Sequence, residues 1–106
     1  MFTAQAKVIA FQCDLDTRTV PIIQRNIDEI DLSRTGCLIV DLGSVVHLTT
    51  AGAALLVYLC QRTKRTIVLA NLSQRSRDLL SIHRLGEGIF ELVDCRDLEP
   101  SITLKC

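Results

Sequence analysis

The chain has 106 residues, enough for one compact core and too few for two. Twelve basic residues balance twelve acidic ones, so no net field draws in nucleic acid, an anionic membrane surface or a strongly acidic substrate. With 48% of residues apolar and only four aromatic, the core has to be aliphatic, and the composition excludes a disordered chain.

Ala6 to Leu15 opens the chain with Val8, Ile9, Phe11 and Leu15, β-branched and aromatic content that reads as a strand, with pairing to the residues before it as an option. Val20, Ile23, Ile27 and Ile30 then recur at helical spacing, with Arg25, Asp28 and Glu29 on the opposite face. Pro21 limits where this helix begins, and Thr17 or Thr19 is a better cap than Asp16. Ser33 to Gly36 reads as a loop. Cys37 to Leu42 is a short, branched apolar run that suits a central strand covered on both faces.

A further helix begins near Thr49 and carries an almost unbroken apolar stretch from Ala51 to Cys60. Arg62, Lys64 and Arg65 follow as a solvated helix end, favoured there by the helix dipole. Thr66 to Ala70 is another buried strand, Asn71 and Ser73 are turn and cap signals, and Leu79 and Leu80 sit on a third helix. Leu85 to Gly88 breaks that helix, Ile89 to Val93 gives a last strand, and 96–106 reads as a polar, loosely held tail after a core of about 6–95. The alternation predicts a single α/β domain over 1–106: a small mixed, largely parallel sheet flanked by helices.

Neither phosphate-cradling glycine motif is present, and Gly86 to Gly88 is a turn. His47 and His83 are the only histidines and have no metal-ligand spacing. Asp14 and Asp16 could form an acid–base pair, but carboxylates two apart at a strand end more often cap turns. Cys13, Cys37, Cys60, Cys95 and Cys106 show no Cys-x-x-Cys pair, and they read as reduced, mostly buried thiols, Cys37 inert within its strand. No enzyme, cofactor or metal is expected. Met1 to Ala10 has no signal-peptide pattern and no apolar run can span a bilayer, so the expected setting is cytoplasmic.

The most informative segment is His47-Leu-Thr-Thr-Ala-Gly-Ala-Ala-Leu-Leu-Val57. An ordinary helix start explains a capping Thr49 and small residues in the first turn. It does not explain ten residues that are apolar nearly all round, since a helix covering one side of a sheet needs only a stripe. Part of that surface is therefore expected to meet a partner, through His47, Thr49, Thr50, Ala51, Gly52 and Ala53.

In its order of motifs the chain resembles the STAS family, which includes bacterial anti-sigma factor antagonists. The likeness rests on Val40-Asp-Leu42, the turn Thr49-Thr-Ala-Gly52 with its apolar helix, and Ile67 to Asn71. It continues through Leu79 to Leu85 with Phe90 to Val93, and upstream through Phe11 to Asp16, where Cys13 stands in place of the usual Gly. The resemblance implies an anti-sigma factor antagonist that binds an anti-sigma factor, often a serine/threonine kinase, so that a sigma factor is released. It also implies phosphate acceptance at Thr50, with Thr49 replacing the family's Asp. A phosphate adds about 1.5 to 2 negative charges and would weaken docking over that spot without unfolding the domain. The same motifs resemble the STAS subunit of bacterial lipid-transport ABC complexes, which docks on the ATPase. A reading from another class is a small-ligand-binding or enzymatic domain using Gly43 to Thr50 at the carboxyl end of a strand.

Overall fold

A computed structural model describes residues 5–32, 35–82 and 90–105. In chain order these form β1 (Gln5–Phe11), α1 (Val20–Asp28), β2 (Thr35–Asp41), α2 (Thr50–Thr63), β3 (Ile67–Ala70), α3 (Gln74–Ile82), β4 (Phe90–Val93) and β5 (Ile102–Leu104). His83, the expected helix break at Leu85 to Gly88, Ile89, and Ser33 and Arg34 of the expected loop lie outside the described residues.

One five-stranded sheet runs in the order β4-β3-β2-β1-β5, and every pairing is parallel. The expectation of a largely parallel sheet in an α/β fold holds. Among the described residues β1 pairs with β2 and β5, and residues 1–4, with which the sequence allowed it to pair, lie outside the described residues. From β1 to β4 each new strand is added on the same side of the last, so right-handed crossovers place α1, α2 and α3 on one face. Burial follows that geometry. In the register row Ile9, Val40 and Leu69 all three are sealed, whereas the adjacent row Val8, Ile39 and Val68, on the opposite face, is only half-buried.

The core is aliphatic as composition demands: Leu15, Ile23, Ile27, Leu38, Leu42, Leu55, Leu56, Leu59, Ile67 and Leu80 pack with Phe11 and Phe90. Among the described residues Ser76 is the one buried polar side chain, and its hydroxyl accepts from the Ser73 hydroxyl, whose oxygen in turn accepts the Ser76 N–H at 3.1 Å. Ser73 thus caps α3, as its position in the sequence indicates. Asn71 turns the chain in a left-handed conformation (φ 62°), and its side chain exchanges hydrogen bonds with the Cys95 backbone at 2.7 and 2.9 Å.

Four expectations change. Residues 102–104 are an edge strand and not part of a loose tail: Leu104 is buried, Ser101 N–H donates to Val8 O at 2.8 Å, and Gln12 N–H donates to Leu104 O at 2.9 Å. Thr19 occupies the α1 cap position without a side-chain cap bond, while Asp16 Oδ1 accepts the N–H groups of Arg18 (2.8 Å) and Thr19 (3.0 Å), so Asp16 does the capping. Arg62 is half-buried and not a solvated charge. Its guanidinium donates to the carbonyls of Ile27 in α1 (2.9 Å) and Ile30 just beyond it (3.2 Å) and pairs with Asp28 (3.2 Å), closing the carboxyl end of α1 from α2. Finally, Cys13 is disulfide-bonded, and Cys37 and Cys95 are exposed; Cys37 shares the sheet face of Val8 and Ile39, opposite the sealed row of Ile9 and Val40. Cys37, Cys60 and Cys95 carry no disulfide, and burial holds the Cys60 thiol above its usual range.

Candidate functional site

The carboxyl ends of β1 and β2 lead into two segments, Gln12–Thr19 and Leu42–Thr49, that zip together before the first turn of α2. Leu15 N–H donates to His47 O and Thr49 N–H to Leu15 O, each at 3.0 Å, making an isolated parallel bridge between Leu15 and Leu48. The Thr49 hydroxyl donates to Leu15 O at 2.9 Å and receives the Gly52 N–H at a long 3.5 Å. Its chief bond is therefore the donation across to Leu15. An ionised Asp in that place, acceptor-only, could not make it.

Gly52 lets this joint close. A Cβ there would lie 2.6 Å from Leu48 Cδ1, 2.7 Å from Leu15 Cβ and 2.8 Å from Leu15 O, well inside contact distance. Gly52 and Ala53 are buried, and both drop out as partner contacts; Gly52 closes the start of α2 against Leu15 and Leu48. Ala51 and Thr49 are half-buried, whereas His47 and Thr50 are exposed.

The apolar excess of α2 is largely absorbed. Gly52, Ala53, Leu55, Leu56 and Leu59 face the core, Val57 and Tyr58 are half-buried, and Ala54 shows its methyl to solvent. Tyr58 donates to Asp28 of α1, a bond that holds its phenol above the usual range. What sequence reading missed is Val46, whose side chain is 64% exposed one residue before His47. Val46, His47, Thr50 and Ala54 are exposed at and just before the start of α2. Val45 and Val46 are indistinguishable by residue type; alternation of burial in the loop decides which one points outward.

Carboxylates surround the joint and serve as backbone acceptors. Asp14 Oδ1 accepts the N–H groups of Val46 (3.0 Å) and His47 (3.1 Å), and Asp41 Oδ1 accepts from Gly43 N–H (2.9 Å) and the Asn71 amide (3.2 Å). The two backbone N–H groups held by Asp16, with Arg18 nearby, lower its pKa below the usual carboxylate value. Asp16 therefore caps its own turn, the role the spacing suggested for the pair, whereas Asp14 holds the backbone of a distant segment. Among the described residues no group of three metal-ligating side chains comes together, and no buried side-chain nitrogen or oxygen lacks a partner.

The family model for the STAS domain matches residues 2–100, nearly the whole chain. The chain belongs to the STAS family. The fold agrees with that membership, and the match ends just before β5. STAS domains in general are regulatory modules that contact other proteins and are not enzymes. No curated protein matches the chain. No helix among the described residues is long and apolar enough to cross a membrane.

Proposed function

We propose that this STAS domain is a non-enzymatic, anti-sigma factor antagonist-type regulator that docks a protein partner on the start of α2. The observation that carries the reading is an exposed Thr50 in the first turn of α2, four residues after an exposed Val46 and directly after Thr49, which the backbone joint ties to Leu15. An apolar side chain held out on an ordered loop gives a partner buried area at little entropic cost. The partner chemistry that fits is an anti-sigma factor of the serine/threonine-kinase type, because an acceptor hydroxyl stands within the contact face itself. Phosphate on Thr50 would be tolerated by the helix amino terminus and resisted by a partner seated over it, so modification releases the partner while leaving the fold intact. Such a regulator works in the cytoplasm of a bacterial cell.

Affinity capture from the source cell with wild type, Thr50→Ala and Thr50→Asp tests this. The expected result is a kinase-like partner retained by wild type and Thr50→Ala and lost by Thr50→Asp. Recovery of an ABC ATPase instead would assign the chain to a lipid-transport complex, and equal recovery by all three forms would remove the switch.

A further inference from the structure

We infer that Asp14 is a positioning residue for the docking loop, so that the contact face is built from two chain segments and not from the α2 entrance alone. Asp14 lies on the segment after β1, thirty-two residues from Val46, and one oxygen of its half-buried carboxylate accepts both the Val46 and the His47 N–H, at 3.0 and 3.1 Å. Both bonds are solvent-facing, at a stretch where the side chains of Val46 and His47 point outward and gain little from packing.

The neighbouring anchors divide the labour. Leu15 fixes His47 O and the Thr49 backbone, and Gly52 brings α2 against Leu15. These bonds hold the part of the loop nearest α2. Val45 is anchored from the other side, its N–H donating to Leu42 O at 3.0 Å and its side chain buried. Between those anchors Asp14 gathers two successive N–H groups onto a single oxygen, which sets the peptide planes on either side of the Val46–His47 bond and so the direction in which Val46 is displayed. The role needs an acceptor at that spot more than it needs a charge. The proposal rests on the docking reading for its purpose, but its test requires no partner and so can fail, or hold, independently of that reading.

The test is residue-resolved amide hydrogen exchange by NMR on the full chain. In wild type, the Val46 and His47 amides are expected to exchange at least about tenfold more slowly than unstructured amides, despite lying at the surface. Asp14→Ala should accelerate these two amides by about tenfold while Ile9, Val40 and Leu69 stay protected, and Asp14→Asn, which keeps an acceptor oxygen, should restore most of the protection. Unprotected Val46 and His47 amides in wild type would overturn the proposal without recourse to any variant. So would Asp14→Ala exchange within twofold of wild type, or Asp14→Asn exchange as fast as Asp14→Ala. Loss of protection spreading to Ile9, Val40 and Leu69 in Asp14→Ala would make Asp14 a general stabilising residue and would equally overturn it.

Discussion

Replacing Gly52 with Ala sets two effects against each other. In an exposed helix the change gains up to about 1 kcal/mol from propensity. Here the new methyl would sit 2.6 to 2.8 Å from Leu48 Cδ1, Leu15 Cβ and Leu15 O. The Leu48 side chain can turn aside, but the Leu15 carbonyl cannot retreat freely, because it accepts both the Thr49 N–H and the Thr49 hydroxyl at 3.0 and 2.9 Å. Overpacking of about 1–3 kcal/mol and the weakening of two bonds worth about 1 kcal/mol each outweigh the propensity gain. The net loss expected is about 2 kcal/mol. With a urea dependence of about 1.5 kcal/mol per M, the unfolding midpoint falls by about 1 M. A midpoint equal to or above that of wild type would refute the close approach of α2 to Leu15 and, with it, the geometry assigned to the docking face.

Thr49→Val removes the hydroxyl that bonds Leu15 O and should cost about 1–2 kcal/mol in urea unfolding, while Thr49→Ser should stay within about 0.5 kcal/mol of wild type. Asp16, whose folded pKa lies below its unfolded value, contributes stability that is present above the unfolded pKa and is lost as pH falls through the folded pKa. Stability measured from pH 6 down to pH 2 should therefore decline less steeply in Asp16→Asn than in wild type, and parallel curves would exclude this role for Asp16. Arg62→Met keeps the buried stem but frees the carboxyl end of α1, so a loss of about 1 kcal/mol and faster amide exchange in α1 are expected; an unchanged α1 would show that the guanidinium caps nothing.

Most of the fold was readable because period and punctuation agreed. Isoleucines at helical spacing gave α1, compact branched runs gave β2 and β3, and Ser73 marked the start of α3. β5 was hidden because three residues beside Pro100 carry almost no periodic signal; Leu104 and the Ser101 bonds to Val8 make it a strand through long-range pairing alone. Of the candidate site, Thr49 and Thr50 were placed correctly relative to the helix start, since a threonine before small residues is a local capping signal. Gly52 and Ala53 looked like contact residues because small side chains mark close approach, and the sequence does not say which surface approaches; it is Leu15, from a segment more than thirty positions earlier. Val46 and Asp14 were not legible for the same reason, as their roles exist only once the two loops lie side by side. The role of Arg62 was likewise a tertiary matter, because its acceptors belong to a different helix.

The docking claim is tested most directly by titrating the captured partner against wild type, Val46→Asp and Gln61→Ala, an exposed residue in the last turn of α2, at the far end of that helix. A buried charge in place of an apolar contact should weaken binding by at least about tenfold for Val46→Asp, with Gln61→Ala within twofold of wild type. Wild-type affinity in Val46→Asp, with the domain folded, would mean that the partner sits elsewhere on the molecule.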